Sequence, residues 1–311
     1  MLSAVRAAVV PRPGPAEVIE VRTDWPEPDP PGPGEVLIAV EAAGLNPSDT
    51  KIRASGGGGQ VKPPYVSGRE AAGRVLEVGP GVDGITPGEA VFAFFGWGAR
   101  PGGHTERLVV AASAVARRPA GVPLPEAAGL SLAGLTARQA LDALDPPPGE
   151  RVLVTSGSGG VGHLAVQLAA IRGLEVIATA GSANRAFVES LGASEVLDYR
   201  DPATPARVAG VRYVIDSVGP DNIELLQDHL APDAHIAVVA GAPREARPGQ
   251  RVTPIRCQAD SGRLAELASL MESGRLAVTV QEVFPLETVA EAHRLLEGRH
   301  VRGKLVIAVV G

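Results

Sequence analysis

At 311 residues the chain is long enough for two domains and a large core. Hydrophobic residues at 45% mark it as globular, and the formal net charge of −6 argues against a chain-wide nucleic-acid surface. No apolar run reaches the length of a membrane span, and the single cysteine, Cys257, excludes an internal disulfide framework and any multi-cysteine zinc site.

Met1 to Arg6 lack a long apolar signal core, so a cytoplasmic protein is expected. Residues 3–22 read as a strand, a turn at Pro11 to Gly14, and a second strand from Ala16 to Val21. A proline-rich connection leads to the strand Val36 to Val40. Further short strands follow to about Val110, among them Gly73 to Val78 and Ala90 to Phe94. With no long helical pattern between them, they predict a compact β-rich domain. From Pro125 the pattern turns to helix, then to alternating strands and helices as far as Ile255. Two amphipathic helices (Gly262 to Ser273, Leu286 to Leu296) and a last strand from Lys304 to Val310 close the chain.

The stretch from Arg151 to Tyr199 organises the rest. Arg151 to Thr155 reads as a buried strand, and Ser156-Gly157-Ser158-Gly159-Gly160-Val161-Gly162 as a sharp turn. The apolar residues from His163 to Ile171 recur at helical spacing, Gly173 ends that helix, and Glu175 to Thr179 forms a second strand. Strand, Gly-x-Gly-x-x-Gly, helix and strand is the dinucleotide-binding arrangement. In it Gly157 makes the tight turn, Gly159 lets backbone approach a pyrophosphate, Gly162 permits close helix–strand packing, and the helix N-terminus holds phosphate.

The end of the second strand selects the nucleotide. An acid there, about 20 residues beyond the first glycine, accepts a bond from the ribose 2′-hydroxyl of NAD. This chain has Thr179-Ala180-Gly181-Ser182-Ala183-Asn184-Arg185 instead. Ser182, Asn184 and Arg185 suit a 2′-phosphate, so NADPH is the expected cofactor; Ser182 is also placed to cap the next helix. Later strands are expected at Glu195 to Leu197, Val211 to Asp216, Ala234 to Val239 and Val252 to Ile255. Ligands of doubly wound sheets lie beyond the strand carboxyl ends, which puts Ser217, Gly219, Gly241 and Ala242 beside the cofactor.

Along nearly its whole length the chain resembles the medium-chain dehydrogenase/reductase superfamily, in its zinc-independent quinone oxidoreductase branch related to zeta-crystallin. The resemblance is carried by Ala42 to Asp49, Gly68 to Gly73, Val78 to Val82, Gly88 to Val91, Gly102 to Glu106, Leu135-Thr136-Ala137, Ser156 to Gly162 and Gly303-Lys304. It implies an α/β fold in which a Rossmann doubly wound parallel sheet is inserted in a GroES-like β-barrel catalytic domain. The implied divisions are 1–118 for the first part of the catalytic domain, 119–258 for the Rossmann domain and 259–311 for the return. The implied active site lies in the cleft between the domains.

The departures from the zinc-dependent relatives carry information. No cysteine stands in the Gly44 to Asp49 segment, Arg69 replaces the histidine of their Gly-His-Glu, and the four-cysteine lobe is missing. His104 remains and reads as a loop hydrogen-bonder, so no metal is expected. Within the resemblance, Asn46 and Asp49 correspond to cleft-lining positions. Asn46 bonds a substrate carbonyl or the nicotinamide ribose, or is simply turn chemistry, and Asp49 orients it or Lys51. Lys51 stands where many relatives carry tyrosine, and with Tyr65 it is a candidate proton donor. Thr136 and Lys304 match cofactor positions, and Tyr199 matches one near the adenosine phosphate.

The leading expectation is an NADPH-dependent reductase of a small quinone or other α,β-unsaturated carbonyl, with no nucleic-acid or membrane partner. An enoyl-thioester reductase is the second reading, and a non-catalytic NADPH-binding protein the third. A homodimer is expected, with the strand Ile236 to Val239 read either as an edge of the Rossmann sheet where two subunits pair or as an ordinary central strand.

Overall fold

The computed structural model describes residues 4–59, 61–97, 102–241 and 245–310. The first stretch of chain carries β1 (Ala4–Val10), β2 (Glu20–Pro26), β3 (Glu35–Leu45), α1 (Pro47–Ser55), β4 (Tyr65–Val66), β5 (Glu70–Val78), β6 (Ala90–Phe94), β7 (Arg107–Ala111) and β8 (Val115–Arg117). Helix α2 (Leu124–Leu144) follows. Then come β9 (Arg151–Val154), α3 (Gly162–Ile171), β10 (Glu175–Ala180), α4 (Arg185–Ser190), β11 (Glu195–Asp198), α5 (Thr204–Arg207), β12 (Tyr213–Asp216), α6 (Pro220–Gln227), β13 (His235–Val238) and β14 (Arg251–Pro254). The last elements are α7 (Ser261–Glu272), β15 (Val280–Pro285), α8 (Val289–Glu297) and β16 (Lys304–Ala308).

The chain divides into two compact units, Met1–Leu132 with Gln258–Gly311, and Ala133–Cys257. The divisions expected at 118/119 and 258/259 therefore fall at 132/133 and 257/258. The physical reason is that the first half of α2 is tied to the first unit. Leu132 N donates to Glu70 Oε2 at 2.6 Å, and a side chain at Gly129 would meet the Lys304 stem at 3.3 Å.

In the first unit a seven-stranded sheet runs β15-β16-β3-β5-β6-β8, with β7 also on β3. The long β3 makes this possible by splitting one edge: Glu35–Ala39 pair with β7, and Ala42–Leu45 with β16. Val36, Ile38 and Val40 recur with period two and enter one core cluster with Val91, Ala93, Leu305 and Ile307. A smaller antiparallel sheet, β2-β1-β4, stands apart. Its β2 begins at Glu20, later than expected, because Ala16–Val18 form a 3₁₀ turn. Helix α7 starts where Asp260 accepts the Arg263 N–H at 2.9 Å, an ordinary N-cap.

The second unit is built on a six-stranded sheet, β11-β10-β9-β12-β13-β14, with every pairing parallel. Leu153, Ile177, Leu197, Val214 and Ile236 supply its core strand by strand. The strand order reverses between β9 and β12, which is the switch point where such sheets bind ligands. The strand Ile236 to Val239 is an inner one and not an edge: β13 pairs with β12 on one side and β14 on the other. The edge belongs to Arg251–Pro254.

Candidate active site

Two clusters of candidate residues emerge, one in each unit. In the second unit the turn after β9 is shaped by close approach. Ser156 takes the left-handed conformation (φ 52°), its N–H donates to Thr179 Oγ1 at 3.1 Å, and Gly157 N donates to Thr179 O at 2.7 Å. A Cβ on Gly157 would lie 2.9 Å from Ala178 Cβ, and one on Gly162 would overlap the Ser156 carbonyl. Both glycines are required by backbone packing. A Cβ on Gly159 would touch only Ser156. Among the described residues the N–H groups of Gly160, Val161 and Gly162 have no protein acceptor. Three unsatisfied donors at a helix N-terminus fit a diphosphate, so the turn passes the test for a dinucleotide.

The neighbouring strand end is held by a polar relay. Thr155 Oγ1 donates to Asp216 Oδ1 at 2.7 Å and accepts from Ser217 N at 2.9 Å, while Ser217 Oγ donates to Thr155 O at 2.7 Å. Asp216 Oδ2 accepts the Gly219 N–H at 3.1 Å, which fixes that glycine at φ 122°. Burial raises the Asp216 carboxyl above its ordinary value, against the lowering effect of these bonds. Gly241 lies in a bend after β13, Thr136 is buried on α2, and Ala242 lies outside the described residues.

At the exit of β10 the structure adds two residues that sequence reasoning missed. Asp198 is the register partner of Ala180, so β11 brings a carboxylate to a place where β10 has none. Its Oδ2 accepts the Ser182 N–H at 3.1 Å, and its Oδ1 accepts the Arg200 N–H at 2.9 Å. The Arg200 guanidinium lies 4.6 Å from the centroid of Tyr199, and its Nη1 would be 3.3 Å from a Cβ on Gly181. Arg185 is exposed and meets Glu189 only at 3.8 Å. Ser182 does not cap the following helix through its side chain. The register with β11 is the signal that would have found Asp198, and the step beyond Tyr199 the one for Arg200.

The second cluster lies wholly in the first unit. Asn46 follows β3 directly and stands at the N-cap of α1, where its N–H donates to Asp49 Oδ2 at 2.9 Å. Its side chain is held at both ends. Nδ2 donates to Glu70 Oε1 at 2.7 Å, and Oδ1 accepts from Lys304 Nζ at 2.5 Å. Lys304 also donates to Leu45 O and to Glu70 Oε1, each at 3.1 Å. Lys304, expected at the cofactor, thus has all three N–H donors taken by the protein, which leaves none for a nucleotide. The ion pair is buried, at 3% and 0% exposure. Glycines make the room: a side chain at Gly44 would run into Glu70.

Asp49 is buried, and burial pushes its carboxyl up to about 7, with the Glu70 charge adding to the shift and the Asn46 N–H, Lys304 and Arg69 opposing it. Tyr65 shares with Asp49 the wall of a cavity of about 10 Å³, near the room one water needs. Its buried hydroxyl has no hydrogen-bond partner among the described residues, and burial pushes it up to about 12, a weak proton donor. Lys51, by contrast, is exposed on α1. His104 takes the structural place expected of it, with Nδ1 2.7 Å from Ser67 Oγ. Among the described residues no group of three or more His, Cys, Asp or Glu is placed to hold a metal ion, and no helix is long and apolar enough to cross a membrane.

Comparison with known proteins places the chain in a family. Residues 32–120 match the alcohol dehydrogenase GroES-like domain, and residues 191–307 match the zinc-binding dehydrogenase domain. The chain is 33% identical over 303 residues to the chloroplastic quinone-oxidoreductase QR1 of Triphysaria versicolor, covering 89% of this chain and 90% of that one. Among solved structures it is similar to the quinone oxidoreductase of Coxiella burnetii, with a TM-score of 0.91, 31% identity, and 98% and 99% of the two chains covered. It is also similar to a mycobacterial protein solved in complex with NADPH, with a TM-score of 0.86, 30% identity, and 98% and 100% covered.

Proposed function

The chain belongs to the zinc-independent, quinone oxidoreductase-like branch of the medium-chain dehydrogenase/reductase superfamily and is an oxidoreductase, and from that premise we propose that it reduces a quinone or another α,β-unsaturated carbonyl with NADPH. The observation that carries the nucleotide half is the row of unsatisfied N–H groups at Gly160, Val161 and Gly162. Ser182, Arg185 and Arg200 would hold the 2′-phosphate, with Tyr199 supporting Arg200 by stacking. Bound there, the reduced nicotinamide supplies a hydride.

The chain's own residues then have a limited task. Asn46 has one Nδ2 N–H left after Glu70 takes the other, and it would bond the carbonyl oxygen on which negative charge gathers. A single neutral donor suits an acceptor whose conjugation spreads the incoming charge, and suits a simple ketone poorly. One proton must follow the hydride to complete the two-electron reduction. Asp49, raised to about 7 by burial, has both its protonated and its ionised forms accessible near neutral pH, which would place an exchangeable proton next to Asn46.

The test is NADPH oxidation by the intact protein, before and after dialysis against a chelator, over a panel of quinones, enones, enoyl thioesters and simple ketones. Turnover of quinones and enones that survives dialysis is expected. Turnover confined to enoyl thioesters would replace the substrate class. Tight NADPH binding with no acceptor turned over would make this a nucleotide-binding protein instead.

A further inference from the structure

We propose that the buried Lys304–Glu70 pair is a polarity clamp on Asn46, fixing its carboxamide so that an N–H, and never the carbonyl oxygen, is offered to the acceptor; this rests on the reading that Asn46 bonds a conjugated carbonyl. The clamp follows from what each atom is able to do. An ammonium group only donates, so the Asn46 atom 2.5 Å from Lys304 Nζ is the amide oxygen. A carboxylate only accepts, so the atom 2.7 Å from Glu70 Oε1 is the amide nitrogen. Turning the amide over would set donor against donor at Lys304 and acceptor against acceptor at Glu70. Both charge-assisted bonds would be lost at once.

The pair itself is positioned from several parts of the chain. Glu70 on β5 is anchored through its other oxygen by Leu132 N of α2, and Lys304 on β16 by Leu45 O of β3. Gly44 and Gly129 leave the space into which the two side chains fit. Because all three Lys304 donors are used, it does not itself reach the acceptor, and it acts as a positioning residue through Asn46. It also polarises the amide: a cationic donor on Oδ1 draws electron density from the nitrogen and makes the remaining N–H a stronger donor. That matters most when negative charge appears on the acceptor oxygen.

The test compares the unmodified protein with the double variant Glu70→Gln, Lys304→Met, which removes both charges together and leaves no lone buried ion. Expected are unchanged NADPH affinity and a fall in kcat/KM for the acceptor of about 10- to 100-fold, smaller than the roughly 100- to 1000-fold for losing an oxyanion donor outright, because the Asn46 donor itself remains. The fall should be larger for a simple enone than for a quinone, because the enone delocalises less of the charge itself. Equal loss for every acceptor together with lost NADPH affinity would mean a purely structural pair, and no loss would also overturn the clamp. A second measurement keeps the question open to refutation if the double variant does not fold or if the unmodified protein reduces no acceptor. In the ¹⁵N spectrum of the unmodified protein, the two Asn46 side-chain protons should exchange at unequal rates, the Glu70-bonded one slowly. Equal, fast exchange of both would overturn the clamp, whereas absent turnover alone would overturn only the functional reading.

Discussion

Under the proposed function, the choice of NADPH over NADH rests on the exit of β10. The perturbations are Arg185→Ala and Arg200→Ala, made separately. Arg185 is 48% exposed and its contact with Glu189, at 3.8 Å, is at the limit of an ion pair, so its guanidinium is available to a phosphate. A hydrogen bond to a charged group contributes roughly 1.5–3 kcal/mol, and solvent exposure places Arg185 at the low end, about 1–2 kcal/mol. At about 1.4 kcal/mol per tenfold, that is a loss of roughly 5- to 30-fold in NADPH affinity. Arg200 is better organised, resting 4.6 Å above the Tyr199 ring and beside Gly181, so its loss should be at least as large. NADH has no 2′-phosphate, and its affinity should stay within about twofold in both variants, a difference of a few tenths of a kcal/mol. Calorimetric titration of each nucleotide at fixed ionic strength measures both. Equal binding of NADH and NADPH by the unmodified protein, or equal weakening of the two in either variant, would refute this assignment of the 2′-phosphate site. Asp198 is the reason such an outcome is conceivable, because it brings to this turn a carboxylate able to accept from a ribose hydroxyl.

Two further outcomes follow from burial and packing. Burial holds His293 down to about 2 and His104 to about 4, so between these values and the ordinary 6.5 the unfolded chain binds protons that the folded chain does not, and stability falls as pH drops below 6.5. At pH 4.5 His293 alone should cost about 2–3 kcal/mol, and His293→Leu should shrink the difference in Tm between pH 7.5 and 4.5; an unchanged difference would show that the imidazole is not what acid attacks. Asp49 works in the opposite sense: raised to about 7, it favours the folded state at low pH, and that contribution is lost as pH rises through 7. In the turn, Gly162→Ala sets a methyl group against the Ser156 carbonyl and 3.0 Å from Gly157 Cα, so NADPH binding should be lost and stability reduced by about 1–3 kcal/mol. Nucleotide titration and thermal unfolding check this, and retained tight binding would show that α3 can shift to make room.

The parts legible in the sequence are those fixed by neighbours along the chain. The β9–turn–α3–β10 unit reads directly because Gly157 and Gly162 answer to atoms within about one turn or on the next strand. What escaped was pairing at long range. Asp198 gains its meaning only from standing opposite Ala180, which no local pattern announces. The strand at His235–Val238 is as apolar as an edge read in isolation allows, yet β14 covers it. Lys304 lies 258 positions from Asn46 and 234 from Glu70, so its partners are unreadable from spacing. Glu70 was visible only as a letter beside Arg69 in a motif, without the role the fold gives it.

The electrostatics of that buried group bear directly on the substrate class. Burying an ammonium and a carboxylate is unfavourable unless each finds a full set of partners. Lys304 has three acceptors, and Glu70 has the donors Lys304, Asn46 and Leu132 N, so the pair is satisfied and neutral in sum. Asp49 adds no fixed second negative charge, because burial makes its protonated form accessible near pH 7. The group therefore resists arriving negative charge less than two bare carboxylates would, but it offers only one polarised N–H in return. One donor is a modest contribution to stabilising a localised alkoxide. It is better matched to an enolate or a quinol anion, where carbon and ring share the charge. With Asn46 as the acceptor's donor, as proposed, its single available N–H suits a conjugated carbonyl better than a simple ketone.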